Sequence, residues 1–215
     1  MNTYDCCFVK DPIVPALPSF LMFCSEGWAF QVLALIAGYI SVDDQAVQSI
    51  CLVLSCVLFM VGAGFAEASA CLVGNLIGAN QPLYAWHYSN MITVVTLTTI
   101  VGCQVGLFLY MDELVDAFVR DGSSANTKLL FKEVLPLLII AFLFDAFQAQ
   151  KQGVIRALGI QKHAAWLTLV CYYGVLIPTS VCLAFNYKMG TEGLRAGVLI
   201  GQLVLVILFS FLIDC

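Results

Sequence analysis

Glu26 stands in the middle of an otherwise uncharged apolar run, Pro18 to Ile40. About 20 apolar residues of helix cross a bilayer core roughly 30 Å thick. A carboxylate inside such a span costs about 2.5–3.5 kcal/mol on insertion scales, so it faces a polar cavity or a partner and marks a functional site by default. The alternative is a carboxylic acid kept neutral and hydrogen-bonded between helices. Asp145 sits within another apolar stretch, and Gln148 and Gln152 follow it at offsets of three and seven. Those offsets place all three on one helical face, which then turns toward protein or water. Gln152 also fits a helix end emerging at the interface. Glu67, near the end of a further run, reads as a side chain snorkelling to the interface.

Gln31 follows Glu26 by five residues, roughly 140° around a helix of 3.6 residues per turn, so it shares Glu26's face only if the helix bends. Tyr172 and Tyr173 could line a path for aromatic or cationic solutes by cation–π contact, with packing or interfacial anchoring expected for at least one of them. Pro178, in the same run, kinks its helix and frees a carbonyl, which a helix bundle tolerates.

Six apolar runs must position these residues: about 18–40, 46–70, 88–111, 131–150, 164–185 and 193–213. Polar breaks separate them, the longest from Asp112 to Lys128. The chain is 61% hydrophobic and 11% charged, against about 25% charged in soluble domains, and its mean hydropathy is +0.96. The expected fold is an all-α polytopic membrane protein with six transmembrane helices in one bundle. Residues 1–17 form a cytoplasmic N-terminal segment and 18–213 the membrane domain. Gly102 and Gly106 form a GxxxG pair, and Gly193, Gly197 and Gly201 repeat at spacing four, a pattern suited to close helix contacts. Lys151, Arg156 and Lys162 lie in a break with no acid, 151–163, which places that break and both termini in the cytoplasm by the excess of basic residues on that side.

Other chemistries find no support. There is no basic patch for nucleic acid and no secretory signal pattern at the N-terminus. The ten cysteines contain no Cys-x-x-Cys pair, and neither His87 nor His163 completes a zinc spacing. Most fall inside apolar runs as small packing residues, while Cys6, Cys7 and Cys215 could be lipidated or reactive. No P-loop, GxGxxG, HExxH or Ser/His/Asp set appears. No enzyme, cofactor or metal is expected.

Four segments in order resemble one family. Leu17-Pro-Ser-Phe-Leu-Met-Phe-Cys-Ser-Glu26-Gly-Trp28 is similar to the seventh helix of eukaryotic multidrug and toxic compound extrusion (MATE) transporters. Gln48 through Gly62-Ala-Gly64 to Val73-Gly-Asn75 resembles the eighth helix and its loop, and Phe144-Asp145 through Gly153 to Arg156-Ala-Leu-Gly159 the tenth. Tyr172-Tyr173 to Pro178, then Gly193-Leu194-Arg195-Ala-Gly197, resembles the last two.

The resemblance implies a lobe of a twelve-helix antiporter that exchanges organic cations and other drugs for protons or sodium, in a plasma, vacuolar or endosomal membrane. Glu26 matches the acidic residue used there for cation and proton handling, and Asp145 falls where many members carry Glu. Gln31 stands where relatives often have a second Glu, Val53 where some animal members carry Glu, and Leu72 replaces a basic residue. The site residues expected to meet substrate or proton are thus Glu26, Asp145, Gln31, Gln148, Tyr172 and Tyr173. Only the C-terminal lobe is matched. The expected partners are therefore an organic-cation solute, the coupling ion, membrane lipid, and a missing N-terminal lobe or second six-helix chain. A truncated or non-transporting six-helix subunit is the alternative function.

Overall fold

The computed structural model describes residues 13–119 and 125–214. Lys10, Arg120, Cys6, Cys7 and Cys215 lie outside them, as does most of the 1–17 segment. The described residues are helical nearly throughout. They form α1 (Ile13–Ile40), α2 (Val42–Gly78), α3 (Pro82–Leu109), α4 (Met111–Phe118), α5 (Ala125–Leu158), α6 (Gln161–Leu169), α7 (Ile177–Val181) and α8 (Gly190–Asp214). Wider π-helical turns over Val170–Leu176 and Cys182–Asn186 join α6 to α7 and extend α7, so Gln161–Asn186 acts as one long span. Pro178 lacks the N–H that a regular helix would use, and the π turns before it absorb the mismatch, as such insertions do at kinks.

Five helices among the described residues are long and apolar enough to cross a membrane. The fourth expected run is the exception. It lies in α5, which has 34 residues but carries Lys128, Lys132, Glu133, Asp145, Lys151 and Arg156 along its length. The chain is an integral, multi-pass membrane protein.

Two of the polar breaks are structured. The 112–128 break contains α4, and 151–163 is mostly the end of α5. Gly159, in the left-handed conformation at φ 74°, ends α5, with Gly159 N–H bonding to Arg156 O and Ile160 N–H to Ile155 O. The basic residues of that break are not free of acid in space, since Arg156 Nη1 donates to Glu67 Oε1 at 2.8 Å. Ser41 caps α2 by accepting from Asp44 N–H at 3.0 Å, which places Asp43 and Asp44 in the first turn, where the helix dipole favours acids.

The helix α5 is the central strut. Its Val134, Leu138, Phe142 and Ala146 enter one apolar core with α2, α3 and α4, while Ile155 enters a second with α1, α6 and α8. Gly193, Gly197 and Gly201 let α8 press on the α7 region: a Cβ at Gly197 would lie 2.4 Å from Ser180 Cα. Gly102 and Gly106 meet no neighbour within 4 Å among the described residues, so this GxxxG pair does not serve a contact inside the bundle. The helix α3 is apolar and outward-facing, with only 11% of its span window buried.

Candidate functional site

A cavity of about 230 Å³ opens between α1, α2, α5 and α8. Each helix presents one face to it, and the spacing explains why. Phe23, Glu26, Gly27 and Phe30 of α1 stand at offsets of zero, three, four and seven, as do Leu138, Ala141, Phe142 and Asp145 of α5. Arg195, Val198 and Gln202 of α8 stand at offsets of zero, three and seven. The lining is apolar and aromatic except for a few side chains, Glu26, Asp145, Arg195 and Gln202 among them.

Glu26 is buried and saturated with donors. Tyr172 O–H donates to Glu26 Oε1 at 2.9 Å, Gln148 Nε2 donates to the same oxygen at 3.1 Å, and Gln152 Nε2 reaches Oε2 at 3.4 Å. Gln148 Nε2 also donates to the Tyr172 oxygen at 3.0 Å. Hydrogen bonds to a charged group contribute about 1.5–3 kcal/mol each, enough together to offset the insertion penalty of one carboxylate. Gln148 Oε1 is buried with no partner among the described residues. The ring of Phe30, on the cavity wall, packs edge-on against Tyr172 with centroids 6.2 Å apart. Tyr172 reaches Glu26 from the π-helical turn, a distortion often found at functional sites.

Asp145 lines the same cavity but has a single donor among the described residues, Gln202 Nε2 at 2.9 Å. A smaller cavity of about 80 Å³ flanks the first. It holds Gln152 and the Glu67–Arg156 ion pair, and Phe23 and Phe59 wall both cavities, their ring centroids 6.1 Å apart.

The expected residues divide. Glu26, Gln148 and Tyr172 form one cluster, and Asp145 shares their cavity. Gln31 also lines the cavity, contrary to its 140° offset: it is exposed at the rim, one turn beyond Gly27 on that edge of α1. Tyr173 is 40% exposed and stands apart from the Glu26 cluster, facing outward. Gln152, which fitted a helix end at the interface, is buried and bonded to Glu26. Glu67 is exposed at the surface and paired.

Two residues were missed. Gln202 holds Asp145, and Arg195 lies on the cavity wall seven residues before it. That seven-residue offset in an apolar run is the signal that would have found them, the same one that exposed Asp145 and Gln152. Arg195 was passed over because it falls near the start of its run, where a charge reads as interfacial.

The model of the MatE family matches residues 18–182. Multidrug and toxin extrusion protein 1 of Pongo abelii is 33% identical over 185 residues, covering 86% of this chain and 32% of that protein. Protein DETOXIFICATION 14 of Arabidopsis thaliana is 30% identical over 201 residues, covering 92% of this chain and 40% of the relative. The chain thus spans well under half the length of these relatives. The crystal structure of the eukaryotic MATE transporter AtDTX14 superposes with a TM-score of 0.85 at 29% identity, over 93% of this chain and 44% of that one. The bent form of the Vibrio cholerae MATE transporter VcmN shares the fold with the same TM-score of 0.85, at 16% identity, over 94% of this chain and 45% of that one. The helical bundle, the cavity-facing carboxylates and these matches together identify the chain as a member of the MATE family.

Proposed function

We propose that this chain supplies one lobe of a membrane transporter that exports organic cations in exchange for protons, or for sodium in the same role. The observation that carries the reading is the buried Glu26 carboxylate on an aromatic-walled cavity shared with Asp145. Aromatic faces attract a desolvated cation, and carboxylates supply its counter-charge. Proton and cation compete for the same oxygens. When Glu26 is anionic, Gln148 donates to it through Nε2. When Glu26 is protonated, a half-turn of the Gln148 amide brings the partnerless Oε1 round to accept the acid O–H. The flanking cavity at Gln152 offers a proton route from the surface beside Glu67 and Arg156, past the Phe23–Phe59 pair. Alternating access would come from rocking of this bundle against a second one around the central site.

The relatives named as multidrug extrusion proteins support the substrate class, and their length supports the need for a partner lobe. The test is uptake of a fluorescent organic cation into vesicles under an imposed pH gradient, with the chain assembled with its partner lobe. Glu26→Gln keeps size and hydrogen-bonding capacity but cannot ionise, so it abolishes proton-linked exchange at equal surface expression. Asp145→Asn has a smaller effect. Wild-type exchange rates from Glu26→Gln would reduce Glu26 to a structural group, and a response to a sodium gradient alone would reassign the coupling ion.

A further inference from the structure

Arg195 is a cation that the proposed mechanism does not use. It lies in the membrane domain, 3% exposed, on the wall of the cavity that holds Glu26 and Asp145. Three ion pairs are formed among the described residues, and Arg195 is in none of them. The buried carboxylates of the surrounding helices each have another donor, and Glu192, three residues before Arg195 on α8, is in none of the three ion pairs either. Asp44 is bonded by Thr191, one turn earlier on α8, Asp145 by Gln202, and Glu26 by its own three donors. Among the described residues the hydrogen-bond partners of Arg195 are neutral: Gln48 Oε1 accepts from its Nε at 3.1 Å, Gln48 O from Nη2 at 3.5 Å, and the Cys51 thiol lies alongside.

Gln48 makes the imbalance larger. Its side chain is fully buried, and because Arg195 holds Oε1, the amide Nε2 faces no acceptor among the described residues. Turning the amide over would set its donor against the guanidinium, so the orientation is fixed. A fork of guanidinium N–H groups beside a stranded amide N–H₂ is short of one acceptor, and a carboxylate is the group that matches a guanidinium fork in shape and charge.

The geometry points to Arg195 as the carboxylate-binding subsite of the cavity, which would make the preferred substrates zwitterions carrying a quaternary or protonated amine and a carboxylate. This rests on the organic-cation reading above and adds the anionic half of the ligand. Gln202, which holds Asp145, is seven residues along α8 from Arg195, so the two charged ends of the cavity are separated by about 10 Å along the helix axis. Once contact distances at each end are taken off, the ligand's two charges sit a short alkyl chain apart. The ammonium rests among the rings near Glu26 and Asp145, and the carboxylate meets Arg195.

The experiment measures equilibrium binding of γ-butyrobetaine and of its methyl ester to the chain assembled with its partner lobe in lipid nanodiscs. The two share one cation and differ in one negative charge. The acid binds about tenfold or more tightly than the ester, as one charge-assisted contact gives. Arg195→Gln collapses that ratio to near one, and Arg195→Lys restores part of it, since a lysine keeps the charge and loses the fork. Equal binding of acid and ester to the wild type overturns the subsite and leaves the cation reading standing. Binding of neither overturns both. The ratio in the wild type decides the question even if a variant does not fold, and a ratio that survives in folded Arg195→Gln also overturns the assignment.

Discussion

The two ends of the cavity handle a charge in the membrane in opposite ways. At the Glu26 end, one carboxylate gathers Tyr172, Gln148 and Gln152, donors from two other helical segments. At the Arg195 end, among the described residues, one guanidinium has neutral hydrogen-bond partners alone, and it leaves the Gln48 amide without an acceptor. Both groups are buried to a similar degree, so depth does not separate them. What separates them is how the charge itself is met. The Glu26 carboxylate has three donors, whereas the Arg195 guanidinium has no anionic partner among the described residues; each cluster also leaves one amide atom, Gln148 Oε1 and Gln48 Nε2, without a partner there. A buried charge of the first kind stabilises when kept, and one of the second kind costs stability until it is used.

The largest expected effect breaks the comparison if it comes out alike at the two ends. Glu26→Ala strips an acceptor from three buried donors, of which Gln148 Nε2 keeps the Tyr172 oxygen, and each donor left unmet costs about 1–3 kcal/mol. Its melting temperature in detergent falls further than that of Arg195→Met, Gly197→Ala or Asp116→Asn, by a loss of ~3 kcal/mol or more. Arg195→Met removes an uncompensated charge and keeps the volume. Such replacements are commonly neutral or stabilising, by about 1–4 kcal/mol, so the melting temperature holds or rises. A fall at Arg195→Met comparable to that at Glu26→Ala would mean that the guanidinium is already satisfied and that the two ends are alike.

A middle-sized effect tests the frame behind the Arg195 end. Gly197, two residues from Arg195, meets Ser180 so closely that a Cβ would fall 2.4 Å from its Cα. Gly197→Ala therefore forces α8 off the α7 region, and overpacking of this kind costs about 1–3 kcal/mol. The same substitution at Gly102, which meets nothing within 4 Å, gains a little helix propensity, about 0.5–1 kcal/mol. Thermal melting of the two variants side by side checks this. A loss at Gly102→Ala equal to that at Gly197→Ala would show that the outward GxxxG pair is also a contact.

Those two glycine sets show where the sequence was legible and where it was not. Spacing four was visible in both, but spacing alone does not say which face of a helix meets another, and only the α8 set does. Glu26 and the Asp145–Gln148 stripe were legible because a polar group in an apolar run must turn away from lipid. Their partners were not. Tyr172 and Glu26 are 146 residues apart in the chain, and no local rule pairs them. Gln31 was placed at the site by the resemblance and not by the angular argument, which treats a cavity as a line, while this one is wide enough for the rim of α1 to reach it. The core of α5 was legible as the apolar run 131–150, but its charged ends, with Lys128 and Arg156, read as polar breaks rather than as the same helix. The polar break after Asp112 hid α4, whose Val115 is buried against the bundle together with Val119 just beyond it.

The smallest expected effect lies where charge meets water, and it completes the contrast. The helix α4 is tied to α5 by Lys128–Asp116 at 2.8 Å and Lys132–Asp112 at 2.6 Å, all four side chains well exposed. The hydrogen bond from Lys128, with its positive charge, holds the Asp116 carboxyl below the usual carboxylate range. A carboxyl depressed in the folded state contributes stability above its unfolded value, and that contribution fades as pH falls through the folded one. Here the group is fully exposed, so water and salt screen the gain. Asp116→Asn therefore leaves the melting temperature at neutral pH and physiological salt within error of the wild type, and a small deficit emerges only at low ionic strength. If Asp116→Asn matched the loss seen at Gly197→Ala in physiological salt, the surface pair would be a structural clamp. The division between met, unmet and screened charges would then fail at its simplest point.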